Sequence, residues 1–151
     1  MTRDPAARDA AADRDAAASD CEAQAIYAMC ALDALGIPLL LRRDARIASQ
    51  DALTGETIHV QVQVTDAAAL TEAMGWEAEW SPASTVIYAR APEHEHEQEC
   101  NVDAASACCP VINFFTTEAH ARAWAEAHPV AGGVLLTQVD AIMYAMRMHG
   151  V

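Results

Sequence analysis

Thr57-Ile58-His59-Val60-Gln61-Val62-Gln63-Val64 alternates apolar and polar side chains without a break. A period of two places Ile58, Val60, Val62 and Val64 on one face of a strand and His59, Gln61 and Gln63 on the other. A strand with one apolar and one polar face suits an antiparallel or mixed sheet that is covered on one side. Upstream, Ala45-Arg46-Ile47-Ala48-Ser49 reads as a shorter strand, and Thr54-Gly55 between the two marks a turn. Downstream, Thr85 to Ala89, Val111 to Phe115 and Val134 to Leu136 are further strand candidates.

Helical signals surround these strands. Ser19-Asp20-Cys21-Glu22 has the spacing of a capping box, and the sequence predicts a helix from about 20 to 35. Its core stripe is Ile26, Met29, Leu32 and Leu35, and Gly36 and Pro38 supply a stop signal. Asp66 is expected to cap a short helical segment through Met74, ended by Gly75. Thr116-Thr117-Glu118 opens an amphipathic helix that must stop at Pro129. Thr137 opens the last helix, with Val139, Ile142, Met143 and Met146 at helical spacing. The pattern predicts an α+β fold: a small mixed or antiparallel sheet packed with about three helices. Residues 1–18, an Ala/Asp/Arg run with almost nothing large and apolar to bury, read as a flexible arm, leaving 19–151 as the folded domain.

With 151 residues, the chain can build one real core. Its formal net charge of −13 argues against a nucleic-acid partner, because phosphate neutralisation needs clustered basic side chains. All nine basic residues are Arg. No uninterrupted apolar run approaches the roughly 20 residues that span a bilayer, and the N-terminal stretch lacks the apolar segment of a secretory signal. Five cysteines, at 21, 30, 100, 108 and 109, make an odd count that fits a reducing compartment, so a cytoplasmic location is expected.

Three stretches could carry chemistry. Tyr27-Ala28-Met29-Cys30-Ala31-Leu32-Asp33 places a thiol and a carboxyl three residues apart, on one face if the segment is helical. Asp is a poor residue for a helix interior, so its place there calls for a reason. Cys108-Cys109-Pro110 precedes the strand run Val111 to Phe115. Adjacent cysteines rarely bridge each other, and Pro110 puts the pair at a strand entry, where loops present side chains to sites. Glu93-His94-Glu95-His96-Glu97-Gln98-Glu99-Cys100 could hold a borderline metal, but its spacing matches no closed zinc site, and a solvated acidic loop is the simpler reading. The glycine-rich nucleotide loops, His-Glu-x-x-His, Gly-x-Ser-x-Gly and Cys-x-x-Cys are absent.

Taken together, the first two stretches resemble the catalytic domain of the alkylmercury lyase (organomercurial lyase) family. The resemblance lies in Tyr27 to Asp33, where Met29 stands in place of the family's Trp. It continues through Ala45 to Ser49, Thr54-Gly55, Cys109-Pro110-Val111-Ile112-Asn113-Phe114-Phe115 and the helix containing Trp124. It covers roughly residues 22 to 150. The family's enzymes usually carry an N-terminal winged-helix-like domain, whereas here a short polar arm precedes the first motif. A further, structural cysteine of the family corresponds to Asp51.

The resemblance implies protonolytic cleavage of the carbon–mercury bond of organomercurials, giving a hydrocarbon and Hg(II), in a mercury-detoxification role. By motif position Cys30 and Cys109 would hold mercury, Asp33 would carry the proton, and Cys108 would be the second candidate for the downstream thiol. The metal is the substrate's own, so no cofactor is implied. Hg(II) would pass to thiols or to a mercuric reductase, and neither nucleic acid nor membrane is an expected partner. The competing expectation is a thiol-based binder or chaperone of a soft metal, Hg or Cu, which would have no need for Asp33. A thiol-dependent enzyme acting on some other substrate is a third; the want of a His partner near either cysteine weakens it.

Overall fold

The computed structural model of the chain describes residues 24–90, 111–129 and 133–151. Two three-stranded antiparallel sheets carry the fold. The first is a meander of β1 (Ala45–Gln50), β2 (Thr57–Val64) and β3 (Trp76–Ser81), with β2 in the centre. The second sets β4 (Val86–Arg90) between β5 (Asn113–Phe115) and β6 (Gly133–Leu136). Among the described residues three helices pack on these sheets: α1 (Ala31–Leu41), α2 (Glu118–Ala127) and α3 (Gln138–Met148). The α+β expectation holds, with two small sheets in place of one.

The period-two stretch explains the main core. Ile58, Val60 and Val62 are fully buried on the inner face of β2, while His59, Gln61 and Gln63 stay outside. They join Ala31, Leu32, Leu35 and Leu39 of α1 and Ala141, Ile142, Ala145 and Met146 of α3 in one cluster, closed by Trp80, Ile87, Ile112 and Phe114. Each fully buried aliphatic side chain contributes about 1.5–3 kcal/mol. Strand β4 is covered on both faces. Ile87 and Ala89 face the main cluster, whereas Val86 and Tyr88 face a second one built from Phe115 and the α2 residues Ala121 and Trp124.

Side-chain caps start two helices where the sequence predicts. Thr117 Oγ1 accepts from His120 N at 3.2 Å, and Thr137 Oγ1 accepts from Asp140 N at 3.2 Å. The predicted α3 stripe is partly realised: Ile142 and Met146 are buried, but Val139 is exposed. Buried Ala141 and Ala145 take up the rest of the contact face, because small residues let α3 approach α1 closely.

Three expectations are corrected. The helix predicted from about 20 to 35 begins only at Ala31; its proposed capping box and residues 20–23 lie outside the described residues. Ile26 and Met29, placed in the core stripe, are exposed, and Tyr27 is 97% exposed. The backbone N–H of Ala31 donates to Ile112 O at 3.3 Å, so a tertiary partner takes the bond that a continuing helix would have used. Gly36 and Pro38 do not stop α1, which runs on to Leu41. An interior Pro costs a helix about 3 kcal/mol or more, and here burial of Leu35, Pro38 and Leu39 offsets that cost. The helix ends instead at Arg42, in the left-handed region at φ 54°, with Arg42 N donating to Leu39 O and Arg43 N to Pro38 O.

Residues 66–74 form turns and bends, not a helix. Asp66 Oδ1 accepts from Ala68 N and Ala69 N, an Asx-type arrangement that competes with helix formation. Gly75 O takes the N–H groups of Thr65 and Asp66. The strand that follows, β3, had no counterpart among the predicted elements.

Candidate active site

Cys30 occupies the N-cap position of α1 in an extended conformation, φ −150° and ψ 173°. Its carbonyl accepts the first helical bond from Ala34 N at 3.0 Å. Its side chain is half-buried and packs against the main core. Asp33 is the acidic residue of the first helical turn. The two predicted residues therefore stay together at one helix end, with Cys30 outside the helix proper instead of on its face. This change bears on the chemistry: backbone N–H groups gather at a helix N-terminus and favour negative charge, a setting that suits thiolates in general. Cysteine is also a weak helix cap, and the Cys30 side chain makes no capping bond to α1.

The bond from Ala31 N to Ile112 O joins the first motif to the second strand run. In sequence Cys109 stands three residues before Ile112. Cys108, Cys109 and the His/Glu stretch 93–100 lie outside the described residues. Among the described residues no group of three or more His, Cys, Asp or Glu side chains is placed to hold a metal ion, and no helix is long and apolar enough to cross a membrane.

The reading of the sequence missed two features. The first is His149, at the C-terminal cap of α3. Its Nε2 lies 3.4 Å from Asp33 Oδ1, and both side chains are about four-fifths buried, at 20% and 23% exposure. The only signal for it in the sequence was Gly36, a glycine inside a helix whose role was taken for a stop.

The second is a buried polar knot at Asp51. Asp51 is 2% exposed. Its Oδ1 accepts from Leu53 N at 2.8 Å and Thr54 N at 3.1 Å. Its Oδ2 accepts from Thr116 N at 2.7 Å, from Thr116 Oγ1 at 2.9 Å and from His120 Nδ1 at 2.8 Å. A carboxylate can only accept, so the His120 proton sits on Nδ1. Burial by itself would push the Asp51 carboxyl up; the bonds from Thr116, His120 and Leu53 outweigh it and hold the group at about 2. The knot ties the β1–β2 turn to the end of β5 and the start of α2, and Ala52 N adds a bond to Phe114 O at 3.2 Å. The two sheets are thereby locked together beside the segment that leads from the second cysteine motif.

Comparisons with known proteins show the family. The family model for alkylmercury lyase matches residues 17–150. An alkylmercury lyase from Pseudomonas putida is 32% identical over 115 residues, 76% of this chain and 45% of that protein. One from Streptomyces lividans is 27% identical over 110 residues, 73% of this chain and 44% of that protein. The solved structure of the mercury-bound form of MerB2 superposes with a TM-score of 0.59 at 27% identity, covering 82% of this chain and 52% of that one. The chain thus spans somewhat under half the length of the two lyases. With a match that runs through the Cys30 helix, both sheets and α3, the chain belongs to the alkylmercury lyase family.

Proposed function

We propose that this chain cleaves the carbon–mercury bond of organomercurials by protonolysis, with Cys30 and Cys109 as the mercury-holding thiols and Asp33 as the proton carrier. Cys108 is the alternative second thiol. The observation that supports this most is the Ala31–Ile112 backbone bond, which draws the Cys30–Asp33 helix end to the segment that follows Cys109-Pro110.

Mercury is soft and prefers thiolate to oxygen or nitrogen ligands. The Cys30 thiolate, at the helix N-terminus, captures R–Hg⁺. The second thiol adds to the metal and gives its proton to Asp33. Two sulfur donors load electron density onto the mercury-bound carbon, and Asp33 protonates that carbon as general acid while the C–Hg bond breaks. For methylmercury, CH₃Hg⁺ and two thiols give methane, Hg(II) held by two thiolates and one released proton. The mercury is substrate and product, and no separate cofactor enters. Hg(II) then leaves to low-molecular-weight thiols or to a mercuric reductase, which suits a thiol-rich cytosol.

The test is headspace gas chromatography with methylmercury and excess thiol. Methane is expected from the unaltered chain and none above background from Cys30→Ser or Asp33→Ala. Equal methane from Asp33→Ala would sink the proton role. Stoichiometric uptake of Hg²⁺ with no hydrocarbon would point instead to a soft-metal binder.

A further inference from the structure

His149 stands outside everything assigned so far, yet it meets Asp33 directly. We propose that His149 is the positioning residue for Asp33, seated in a slot that Gly36 leaves open on α1. The proposal rests on the functional reading above and extends it to how the proton carrier is held.

Three observations carry it. The first is the approach of His149 Nε2 to Asp33 Oδ1 at 3.4 Å. The second is that Nε2 is buried and, among the described residues, has no hydrogen-bond partner. Buried polar atoms are as a rule hydrogen-bonded, and the carboxylate oxygen 3.4 Å away is the acceptor that this nitrogen is placed to engage. The third is Gly36. A Cβ built there would overlap His149 Cδ2 and come within 2.7 Å of Nε2. Glycine in a helix interior is less favourable than alanine. The cost is borne one turn from Asp33, where it makes room for the imidazole.

The backbone fixes the ring from the other side. His149 N donates to Ala145 O and Met146 O, and Val151 N returns to Met146 O at 2.9 Å. Gly150, at φ 69°, makes that tight return possible. Packing of α1 against α3 in the main core then sets the ring on Asp33.

The chemistry follows from the two oxygens of a carboxyl group. With Nε2–H engaging Oδ1, Oδ2 is left to take the thiol proton and hand it to carbon. The imidazole gains and loses no proton in this scheme. It restrains the Asp33 rotamer and supports the carboxylate that remains after the carbon is protonated. A group held this way affects the chemical step and leaves mercury capture by thiols untouched, because the sulfur ligands do not depend on it.

The experiment is steady-state methylmercury cleavage by the unaltered chain and by His149→Ala, His149→Gln and Gly36→Ala, each checked for folding by circular dichroism. His149→Ala is expected to lower kcat 10-fold or more with KM unchanged and with the same stoichiometry of Hg²⁺ uptake. His149→Gln fills the slot and keeps an N–H donor, so it should recover several-fold over His149→Ala. Gly36→Ala, which displaces the ring without altering it, should lower kcat in the same direction. Methane from the unaltered chain together with an unchanged kcat in His149→Ala overturns this proposal alone. Equal fall in kcat for Ala and Gln overturns it too. No methane from the unaltered chain overturns the functional reading, and this proposal with it.

Discussion

Replacing Asp51 with Ala removes the acceptor for Leu53 N, Thr54 N, Thr116 N, Thr116 Oγ1 and His120 Nδ1 in one step. The magnitude can be reached by two routes. Asp51 falls from its ordinary 3.8 to about 2 in the folded chain. At about 1.4 kcal/mol per unit, the ionised carboxylate contributes on the order of 2.5 kcal/mol at neutral pH. By the second route, truncation leaves the two buried Thr116 donors unpaired, about 1–3 kcal/mol each before relaxation; the two routes count the same bonds and overlap, so Asp51→Ala should cost about 3–4 kcal/mol. The sign with pH is set by the lowered folded value. The stabilisation is fully present above the unfolded value near 3.8 and is lost as pH falls through the folded value of about 2. Urea unfolding followed by Trp fluorescence, at pH 7 and in steps down to pH 2.5, measures both. The difference in stability between the unaltered chain and Asp51→Ala should be largest at pH 7 and shrink by most of 2.5 kcal/mol in acid. A difference under about 1 kcal/mol at pH 7, or one that does not change with pH, would refute the reasoning.

Cys30→Ser should remove methane release while leaving stability unchanged or raised by up to about 1 kcal/mol, because Ser is among the best N-cap residues and Cys is not; thermal unfolding checks it, and a clear loss of stability would count against the N-cap assignment. Arg42→Gly should stabilise the chain by about 0.5–1 kcal/mol, since Arg42 holds a left-handed conformation that only glycine adopts without penalty; the shift of the urea midpoint reports it.

The predictions differ in how far they could be made from the residues alone. β2, the α2 and α3 starts at Thr117 and Thr137, and the pairing of Cys30 with Asp33 were legible because each rests on near neighbours: an alternation of period two, a hydroxyl facing an N–H three residues on, a short spacing. The true start of α1 was not legible. It depends on Ile112 O, whose competition for the Ala31 N–H has no trace in the local sequence. Thr54-Gly55 read as a turn, and the bonds of Asp51 to Leu53 and Thr54 in that turn are local. Its bonds to Thr116 and His120, which make it a buried anchor, cross between sheets.

By itself, then, the sequence determined the α+β class, the family resemblance and the closeness of Cys30 to Asp33, because local periodicity and short spacings survive in any context. Only the tertiary structure decided that α1 begins after Cys30, where Ile112 O takes the Ala31 N–H, that Asp51 locks two sheets, and that Gly36 leaves room for His149 beside Asp33. Each of these is a contact between distant parts of the chain. Such contacts form when helices and sheets bury their apolar faces together, and no local pattern encodes which polar groups that burial will bring face to face.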